Sequence, residues 1–422
     1  MNTKQTVIAA SLVLGLALSV TAGAANAGTL TPVTKDALST QLPSKSTKAK
    51  INIWGYIDPK AANSAWINDG VQTLKKKFPN VTVNYTYVPY DQIAAKFLGT
   101  AVAGGAPDGI IYNPADSANL SRAGLLANMS PFWNKYKDKS QFPSSMVWKN
   151  DSKVISLQGY VNTTALFYNK DILDAAGVTP PKTVADLESA FKAVAKIGYQ
   201  GLAMTAVPTA ESEFQIFPWL LGAGQNYGTY EASVVSGVFS KFNDWIAAGY
   251  VPRDIAGWSQ GDAFQNFSGG KFAFTQNGNW QLGLAAKLPF QWGVVPIPAG
   301  PAGSFSVGGG EGFSIGAKTK NAALTWQFFE GALLTKSSQI NNLKKTGSMP
   351  ARTDAANDNF IASNPALKVF AGVVANLKSR PNSPAVADYL VSMGKIWNAM
   401  AGGVTKPSDA ASQVVLELNN LK

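Results

Sequence analysis

The sequence predicts an α/β protein with two domains, and three of its features lead to this prediction. Short segments with the two-residue alternation of β-strands are followed, repeatedly, by segments in which apolar residues recur at helical spacing. Strands that alternate with helices are typical of a mostly parallel sheet with helices on both faces. The chain has 422 residues, 46% of them hydrophobic, which is enough for two domains that each bury their own core.

The first part of the chain carries the alternation most clearly. Strands are predicted at 51–56, 81–88 and 110–112. Helices are predicted at 66–78, at 90–103 and from the turn at Asn113-Pro114 to about 124.

The later elements follow an irregular connection at 131–149. Thr183 precedes Asp186 at the spacing of a capping box and predicts the start of a strong helix. The segment 211–227 is polar at first and then aromatic and Gly-rich, which is unusual for a mere connection. The other predicted elements are strands at 154–157, 165–168, 201–205, 271–276, 293–296 and 313–317, and helices at 233–248, 262–267, 321–334, 336–345, 384–401 and 408–421.

Composition excludes several classes of function. The chain has no Cys and no His, so it lacks thiolate nucleophiles, Ser-His-Asp triads, His-ligated metals and disulfides, and we expect neither a metal nor a cofactor. Its 36 basic and 25 acidic residues give a net charge of +11 without a dense basic stripe, which disfavours nucleic-acid binding. A low charged fraction of 14% with 11 Trp, 13 Tyr and 21 Phe favours a polar but neutral partner. The diffuse positive field leaves an anionic ligand or a membrane surface open.

Residues 1–27 have the pattern of a cleavable signal peptide. Lys4 precedes the apolar segment 7–20, and an Ala-x-Ala site ends at Ala27. We therefore expect cleavage after Ala27 and export to the periplasm, and no lipid anchor because no Cys could be acylated. Residues 28–50, rich in Thr, Ser, Pro, Ala and Lys, predict a flexible leader.

The stretch 267–280, FSGGKFAFTQNGNW, predicts a strand that leads through a turn into a helix. Asn277-Gly278-Asn279 supplies the turn, and Trp280 follows it directly. Ligands of α/β proteins bind at strand ends, so Trp280 is a candidate ligand residue. The alternative is that Trp280 belongs to the core.

Several segments, taken in this order, resemble one family. They are AVAGGAPDGIIYNPADSANLSRAGLLANM within 97–129, ALFYNKDILDAAGVTPPKTVADLESAFKAV at 165–194, the stretch ending in NGNW, the Gly-rich run at 308–315, and TGSMPAR at 346–352. From about 51 to 421 the chain resembles the family 1 extracellular solute-binding proteins of ABC importers, the group that includes maltose-binding protein. Together the motifs are specific, whereas any one alone is weak.

This resemblance implies a two-lobed periplasmic binding protein fold of type II, with a ligand cleft between hinged α/β lobes. Lobe 1 would comprise 51–160 and 317–351, and lobe 2 would comprise 161–306 and 355–422, with crossings at 307–316 and 352–354. The implied partners are a carbohydrate ligand and the membrane permease of the importer. The protein would be a monomer that binds its ligand without catalysis.

The resemblance also implies ligand-binding residues. Trp280 corresponds to a sugar-stacking Trp, and Tyr112 to an aromatic residue that faces the ligand, although a structural strand-end Tyr is equally open. A pyranose presents an apolar C–H face to an indole ring, and its hydroxyl rim needs polar partners. Asn113 and Asp116, just beyond the strand at 110–112, are candidates for such partners.

Further candidates come from the same comparison. Gly309 and Gly310 match a pair that lets the backbone approach the ligand. Glu311, where relatives often carry Trp, is either a hydroxyl acceptor or part of a hinge ion pair, and Arg352 either reaches sugar hydroxyls or bridges the lobes. The remaining candidates are Asn162, whose preceding segment lacks the family's usual Pro, Phe214, Gln215, Trp219 as a second choice, Tyr56, Asp58 and Tyr389.

Three other functions remain open. A phosphorylated polyol, such as glycerol phosphate or a phosphodiester, would suit the positive net charge but needs converging cationic donors, of which Arg352 is the only candidate. A secreted carbohydrate-active hydrolase would need two facing carboxylates, and Asp58, Asp116 and Glu311 could supply a pair. A structural or adhesion role is a third possibility.

Overall fold

The computed structural model describes residues 38–60, 64–378, 380, 383 and 385–420. The predicted signal peptide and residues 28–37 of the predicted leader lie outside this part of the chain. The end of the leader is in contact with the folded chain. Leu38 packs against the core, and Lys135 Nζ donates to Thr40 Oγ1 at 2.8 Å.

The first group of elements follows the predicted alternation of strands and helices. It comprises β1 (Ala49–Gly55), α1 (Ala65–Lys77), β2 (Val81–Tyr87), α2 (Tyr90–Ala103), β3 (Gly109–Tyr112), α3 (Ser117–Arg122), α4 (Ser130–Lys135), β4 (Val147–Asn150) and β5 (Lys153–Gln158).

The middle of the chain forms a second group, which contains the predicted strand before Trp280. It comprises β6 (Tyr160–Val161), β7 (Thr164–Asn169), α5 (Lys170–Ala176), α6 (Val184–Lys196), β8 (Gln200–Ala203), α7 (Ala210–Gly222), α8 (Ala232–Ala247), α9 (Gln260–Ser268), β9 (Phe272–Gly278), α10 (Leu282–Ala285) and β10 (Trp292–Val295).

The last group is mainly helical. It comprises β11 (Gly312–Ile315), α11 (Ala322–Phe329), which continues as a π-helical turn (Glu330–Leu334), α12 (Lys336–Thr346), β12 (Met349–Pro350), α13 (Thr353–Ala356), α14 (Asn359–Ser363), α15 (Pro365–Ala375), α16 (Val386–Ala401) and α17 (Pro407–Leu418).

Two main sheets organise these elements, and both are mixed. The first has the order β2-β1-β3-β11-β5-β4, in which only β2, β1 and β3 pair in parallel. The second has the order β10-β7-β9-β8, in which only β8 and β9 are parallel. The mostly parallel arrangement that we predicted is therefore limited to part of each sheet.

The antiparallel pairs have a simple cause. β11 enters the first sheet from a distant part of the chain, and β4 and β5 form a hairpin rather than a strand–helix–strand unit. Asp151 and Ser152 at the hairpin turn have positive φ angles of 47° and 66°, as a tight two-residue turn requires. The chain passes between the sheets beside β6, which pairs with β12.

Helices cover both sheets with apolar faces. The predicted capping box starts α6: the Asp186 N–H donates to Thr183 Oγ1 at 3.1 Å, and the Thr183 N–H donates to Asp186 Oδ2 at 2.9 Å. Such a cap contributes about 1 kcal/mol to helix stability. Phe191 of α6 is fully buried and packs edge-on against Trp245 of α8 with ring centroids 5.3 Å apart.

The helix α7 was not predicted, and it builds one side of the candidate site. All of its residues from Ser212 to Gly222 are buried, so its apolar residues do not follow the one-sided period of a surface helix. Pro218 inside it also argues against a helix, because a Pro residue lacks the N–H of the helical ladder.

In the described part of the chain, no helix is both long and apolar enough to cross a membrane. The same residues include no cluster of three or more acidic side chains that could hold a metal ion.

Candidate functional site

A cavity of about 290 Å³ lies where ends of both sheets come together. This volume is near the lower limit of the range of about 300–1,000 Å³ that is usual for small-molecule sites. Residues after β1 and β3 contribute to it, as do the start of α7, the turn after β9 and the segment before β11. The described lining residues are Tyr56, Ile57, Tyr90, Asn113, Tyr160, Asn162, Ala210, Glu211, Phe214, Gln260, Trp280, Gly309, Gly310, Glu311, Ser348 and Arg380.

The predicted strand–turn unit holds Trp280 at the cavity wall. β9 ends at Gly278, and the half-buried indole of Trp280 folds back over this residue. A Cβ atom on residue 278 would lie 1.9 Å from the indole ring. The φ angle of Gly278 is −109°, so glycine is needed here for space rather than for its backbone angle. Phe214 of α7 extends the wall, with its ring centroid 6.0 Å from that of Trp280.

Asn279, between Gly278 and Trp280, anchors this turn. Its amide Nδ2 donates to Asn162 Oδ1 and to the Gly347 carbonyl, both at 3.0 Å, and its Oδ1 accepts the Thr163 N–H at 2.8 Å. Asn279 is fully buried. The turn that carries Trp280 is therefore fixed to the two segments that lie beside β6 and β12.

Glu311 is a buried carboxylate in the cavity lining. The Tyr56 hydroxyl donates to Glu311 Oε1 at 2.6 Å, and Asn162 Nδ2 donates to Glu311 Oε2 at 3.2 Å. Burial raises the pKa of Glu311, and the hydroxyls of Tyr56 and Tyr160 partly oppose this change because they stabilise the ionised form. Burial and the Glu311 carboxylate together raise the pKa of Tyr56, which stays a neutral donor.

The backbone of Gly309 and Gly310 forms the floor. Gly309 exchanges two backbone hydrogen bonds with Asn162, at 2.7 and 3.1 Å. Gly310 has a φ angle of +117°, which favours glycine, and a Cβ atom there would lie 2.1 Å from the Tyr160 carbonyl oxygen. The segments that contain Gly310 and Tyr160 therefore cross with no room for a side chain at position 310.

Polar groups line the remaining walls. Asn113, just after β3, donates from Nδ2 to the Tyr90 hydroxyl at 3.0 Å. Glu211, in the first turn of α7, accepts the Gln260 N–H at 3.0 Å. The ring centroids of Tyr56 and Tyr90 are 4.9 Å apart in an edge-to-face arrangement.

Arg380 reaches the cavity from the segment between α15 and α16. Its side chain is only 9% exposed, and its Nη2 donates to Glu213 Oε2 at 2.6 Å. The guanidinium carbon lies 4.9 Å from the ring centroid of Phe214. The Tyr227 hydroxyl donates to the other oxygen of Glu213 at 2.8 Å.

The structure brings together eight of the predicted residues: Trp280, Asn113, Asn162, Phe214, Gly309, Gly310, Glu311 and Tyr56.

Four other predicted residues pack near the cavity without lining it. Tyr112 is fully buried, and its hydroxyl lies 2.8 Å from Ser314 Oγ, so it points to the other face of its strand from Asn113. Gln215 is fully buried in α7. Trp219 donates from Nε1 to Gln276 Oε1 at 2.8 Å and faces a separate cavity of about 580 Å³ beside α8. Asp116 is half-buried behind Asn113, where burial and the Asp388 carboxylate raise its pKa to about 7.

Three further predicted residues lie away from the cavity. Arg352 is buried and binds Asp354 and Asp138, at 2.8 and 3.2 Å, as well as the Leu334 carbonyl. Asp58 is exposed and accepts the Lys60 N–H at 2.8 Å. Tyr389 is buried on α16, edge-on to Tyr227 with centroids 4.9 Å apart.

Sequence reasoning missed Tyr90, Tyr160, Glu211, Gln260 and Arg380. Tyr90 and Tyr160 follow predicted strands and could have been found by their position at strand ends. Glu211 and Gln260 open helices, and one of those helices was not predicted. Arg380 stands in the Ser- and Pro-rich segment at 379–384, where no periodic pattern indicates which way a side chain points.

Comparisons with known proteins place this chain in a family. The sequence profile described as bacterial extracellular solute-binding protein matches residues 70–369. The chain is 24% identical over 395 residues to the galactooligosaccharide-binding protein of Bacillus subtilis, covering 89% of this chain and 90% of that protein. It is 27% identical over 175 residues to the arabinooligosaccharide-binding protein of the same organism, covering 40% of this chain and 39% of that protein.

A solved structure confirms the predicted two-lobed fold. The GacH receptor of Streptomyces glaucescens, solved unliganded and in complex with acarbose, superposes with a TM-score of 0.79 at 23% identity. The match covers 89% of this chain and 100% of that one. Because the family profile also spans most of the sequence, the chain belongs to the bacterial extracellular solute-binding proteins, as the sequence motifs predicted.

Proposed function

We propose that the protein captures a mono- or oligosaccharide in the cavity beside Trp280 and delivers it to the membrane permease of an ABC importer. The observation that carries this proposal is one cavity with an aromatic wall, formed by Trp280 and Phe214, and polar groups such as Asn113 and Glu311 around it. A sugar has the same two kinds of surface, an apolar C–H face and a rim of hydroxyls. The names of the two Bacillus subtilis relatives and the acarbose complex of the GacH receptor support this choice.

The ligand is proposed to lie between Trp280 on one side and Tyr56 and Glu311 on the other. The carboxylate of Glu311 accepts hydrogen bonds from sugar hydroxyls, and the indole face of Trp280 stacks on the sugar ring. The backbone of Gly309 and Gly310 forms the floor against which the sugar rests. Hydrogen bonds hold these groups in place: Asn279 anchors the turn that carries Trp280, and Glu311 accepts from Tyr56 and Asn162.

Ligand capture is proposed to close the cleft between the predicted lobes. A ligand shifts such an equilibrium only through its higher affinity for the closed state. The higher affinity of the closed state comes from contacts on both sides of the ligand. One side is α7 and the turn after β9, and the other is the segments after β1 and β3. Solution scattering with and without a bound sugar tests it: the radius of gyration should fall on binding, and an unchanged radius contradicts closure.

A phosphorylated polyol fits the cavity less well. Among the described lining residues Arg380 is the only cationic side chain, and it already donates to Glu213. A phosphate needs several converging donors. The walls instead contain Glu211 and Glu311, which repel an anion.

The proposed role is binding without turnover. Glu211 and Glu311 are two carboxylates in one cavity, so a hydrolase mechanism needs a direct test. Incubation with labelled oligosaccharides should give saturable binding and unchanged substrate. Release of shorter sugars would contradict the proposal.

A thermal-shift screen over sugars, polyols and their phosphates tests the ligand class. A sugar at a hundredfold excess over its dissociation constant should stabilise the protein by about 2.7 kcal/mol. Calorimetry then gives the affinity of each hit. A melting temperature that responds to phosphate esters and to no sugar would overturn the proposal.

The protein is further proposed to be exported as a monomer without a lipid anchor, after cleavage following Ala27. N-terminal sequencing of the exported protein should begin at Gly28. An intact Lys4-containing segment on the exported chain would contradict it. Light scattering of the purified protein tests the monomeric state.

A further inference from the structure

Lysines from three separate segments meet at one end of the first sheet. All eight of them are exposed. The segments 45–50, 75–80 and 318–321, which carry these lysines, contain no Asp or Glu. Lys45, Lys48 and Lys50 lie at the start of β1, the run 75–77 ends α1, and Lys318 and Lys320 precede α11.

Hydrogen bonds hold the three segments beside one another. β1 and β2 run parallel and begin together, so the end of α1 lies next to the start of β1. Asn80 Nδ2, just after α1, donates to the Ser46 carbonyl at 3.3 Å. Asn321 Nδ2, at the start of α11, donates to the Lys50 carbonyl at 3.4 Å. The eight lysines, here called the basic end, therefore form one surface of the fold although they are scattered along the sequence.

The basic end presents its ammonium groups to water. In the part of the chain that the structure describes, none of its lysines takes part in an ion pair. Lys77 donates to a neutral partner, Gln327 Oε1, at 2.5 Å. The neighbouring carboxylate of Asp108 is buried, and it accepts from the Asn52 N–H at 2.8 Å and from Asn321 Nδ2 at 3.2 Å. This carboxylate is turned into the fold, so the surface itself is positive.

The basic end lies at the opposite end of β1 from the cavity. Tyr56 and Asn113, which line the cavity, follow the carboxyl ends of β1 and β3. The basic end lies at the amino end of β1, and the seven residues of this strand span about 20 Å. This distance exceeds the Debye length of about 8 Å at physiological ionic strength. The lysines therefore act on a partner other than the ligand in the cavity.

The arrangement of the charge indicates which anion it fits. A single phosphate needs several donors that converge on it, whereas the lysines are spread over the ends of three elements. Single-stranded nucleic acid binds by stacking its bases on aromatic side chains. The segments 45–50, 75–77 and 318–320 contain no aromatic residue. An extended surface of anionic headgroups needs neither converging donors nor aromatic rings.

We propose that the basic end docks the protein reversibly on an anionic lipid bilayer. Clusters of about four to eight basic residues bind anionic headgroups, and each lysine near the surface strengthens binding about fivefold. Stable anchoring takes two membrane signals, and a basic cluster alone is one, so the docking is reversible. The docked protein stays close to the membrane with its cavity on the side away from the bilayer, open to solutes.

Flotation of lipid vesicles tests the proposal. The exported chain is used, because the apolar segment 7–20 of the predicted signal peptide would itself enter lipid. It is mixed with vesicles of phosphatidylcholine alone, or of phosphatidylcholine and phosphatidylglycerol at about 2:1. We expect binding to the anionic vesicles to be at least about tenfold tighter than to the neutral ones. Added salt should release the protein, because it screens the charges.

Two matched variants locate the surface. The variant of the basic end combines Lys75→Gln, Lys76→Gln, Lys318→Gln and Lys320→Gln. It should bind anionic vesicles about tenfold or more weakly. The control removes the same charge from exposed positions elsewhere and should bind almost as the unchanged protein does; it combines Lys192→Gln, Lys196→Gln, Lys271→Gln and Lys287→Gln.

Several outcomes would overturn the proposal. Equal binding to neutral and anionic vesicles, or binding to neither, contradicts it. Equal losses in the two variants would assign the effect to net charge and not to the basic end. If soluble polyphosphate or duplex DNA binds the protein and anionic vesicles do not, the partner is a soluble polyanion and the membrane proposal is wrong. The vesicle measurements contain no sugar, so their result does not depend on the function proposed for the cavity.

Discussion

Gly278 lies beneath the indole ring of Trp280, so close that a single methyl group would collide with it. A Cβ atom at this position would lie 1.9 Å from the ring. The Asn-Gly-Asn-Trp motif thus combines a residue that leaves space, one that anchors the turn and one that faces the cavity. The glycine determines where the indole lies, because no rotation of a methyl group relieves the overlap.

We expect Gly278→Ala to weaken sugar binding about tenfold or more by displacing Trp280, and to lower stability by about 1–3 kcal/mol. Calorimetry and thermal melting measure the two effects. Gly99→Ala is the control, since a Cβ atom on that residue of α2 meets nothing within 4 Å. It should leave affinity unchanged and stabilise the helix by about 0.5–1 kcal/mol. Unchanged affinity in Gly278→Ala would contradict the proposed position of the ligand.

Trp280→Ala should remove most of the sugar affinity, by about 2 kcal/mol or more, because the stacking surface is lost. The melting temperature without ligand should change little, since the indole is half-buried at a cavity wall. Trp292→Ala on β10 is a matched control. This Trp is also half-buried, packs 6.0 Å from Phe167 and lies outside the cavity lining. It should lower the melting temperature and preserve affinity. If Trp280→Ala instead lowers the melting temperature and preserves affinity, Trp280 is a core residue.

Asp116 should make stability depend on pH in a defined direction. Its pKa is raised to about 7 in the folded protein, so the folded state holds a proton that the unfolded chain releases near pH 4. Stability from this group is complete below about pH 4, falls as the pH rises to about 7 and is constant above that. Asp116→Asn should remove this fall, of about 1–3 kcal/mol after allowance for solvent screening. Urea unfolding of both proteins between pH 4 and 8 measures the difference, and parallel curves would exclude the raised pKa.

Arg352 should prove to be a stabilising residue without a ligand role. Its guanidinium donates to the Leu334 carbonyl at 2.9 Å and to Asp354 and Asp138, while the side chain is 3% exposed. We expect Arg352→Ala to cost about 2–4 kcal/mol of stability, because buried acceptors lose their donor. Sugar affinity, measured below the melting transition, should be unchanged. Lys170→Ala, which removes an exposed ion pair with Asp174, is the control and should leave stability almost unchanged. A loss of affinity in Arg352→Ala would restore the role that the family resemblance implied.

Local sequence patterns predicted the helices and strands better than they predicted which side chains line the cavity. The capping box at Thr183 and the strand before Trp280 depend on neighbours in sequence, and both are present in the structure. Tyr112 and Asn113 are adjacent at a strand end, and only Asn113 lines the cavity, since successive side chains point to opposite faces. Which of the two faces the ligand depends on the packing of β11 against β3, which no local pattern reports.

Contacts over long sequence distances account for the other differences. Arg352 is held by Tyr136 and Asp138, more than two hundred residues earlier in the chain, and so faces away from the cavity. Arg380 donates to Glu213 on α7. The residues of this helix from Ser212 to Gly222 are all buried, so its sequence lacks the one-sided apolar period by which a helix is recognised. Asp354, two residues after Arg352, is a local partner, but Tyr136, Asp138 and Glu213 cannot be identified from the sequence around either arginine.

The close crossing at Gly310 also limits how such a site can diverge. Since a side chain there would overlap the Tyr160 carbonyl, the floor of the cavity is made of main chain that substitution cannot easily reshape. The walls are side chains on separate elements, and each can be exchanged alone. In the binding mode that we propose, ligand preference is therefore free to change at positions such as Glu211 or Trp280, while the main-chain surface at Gly310 keeps its form.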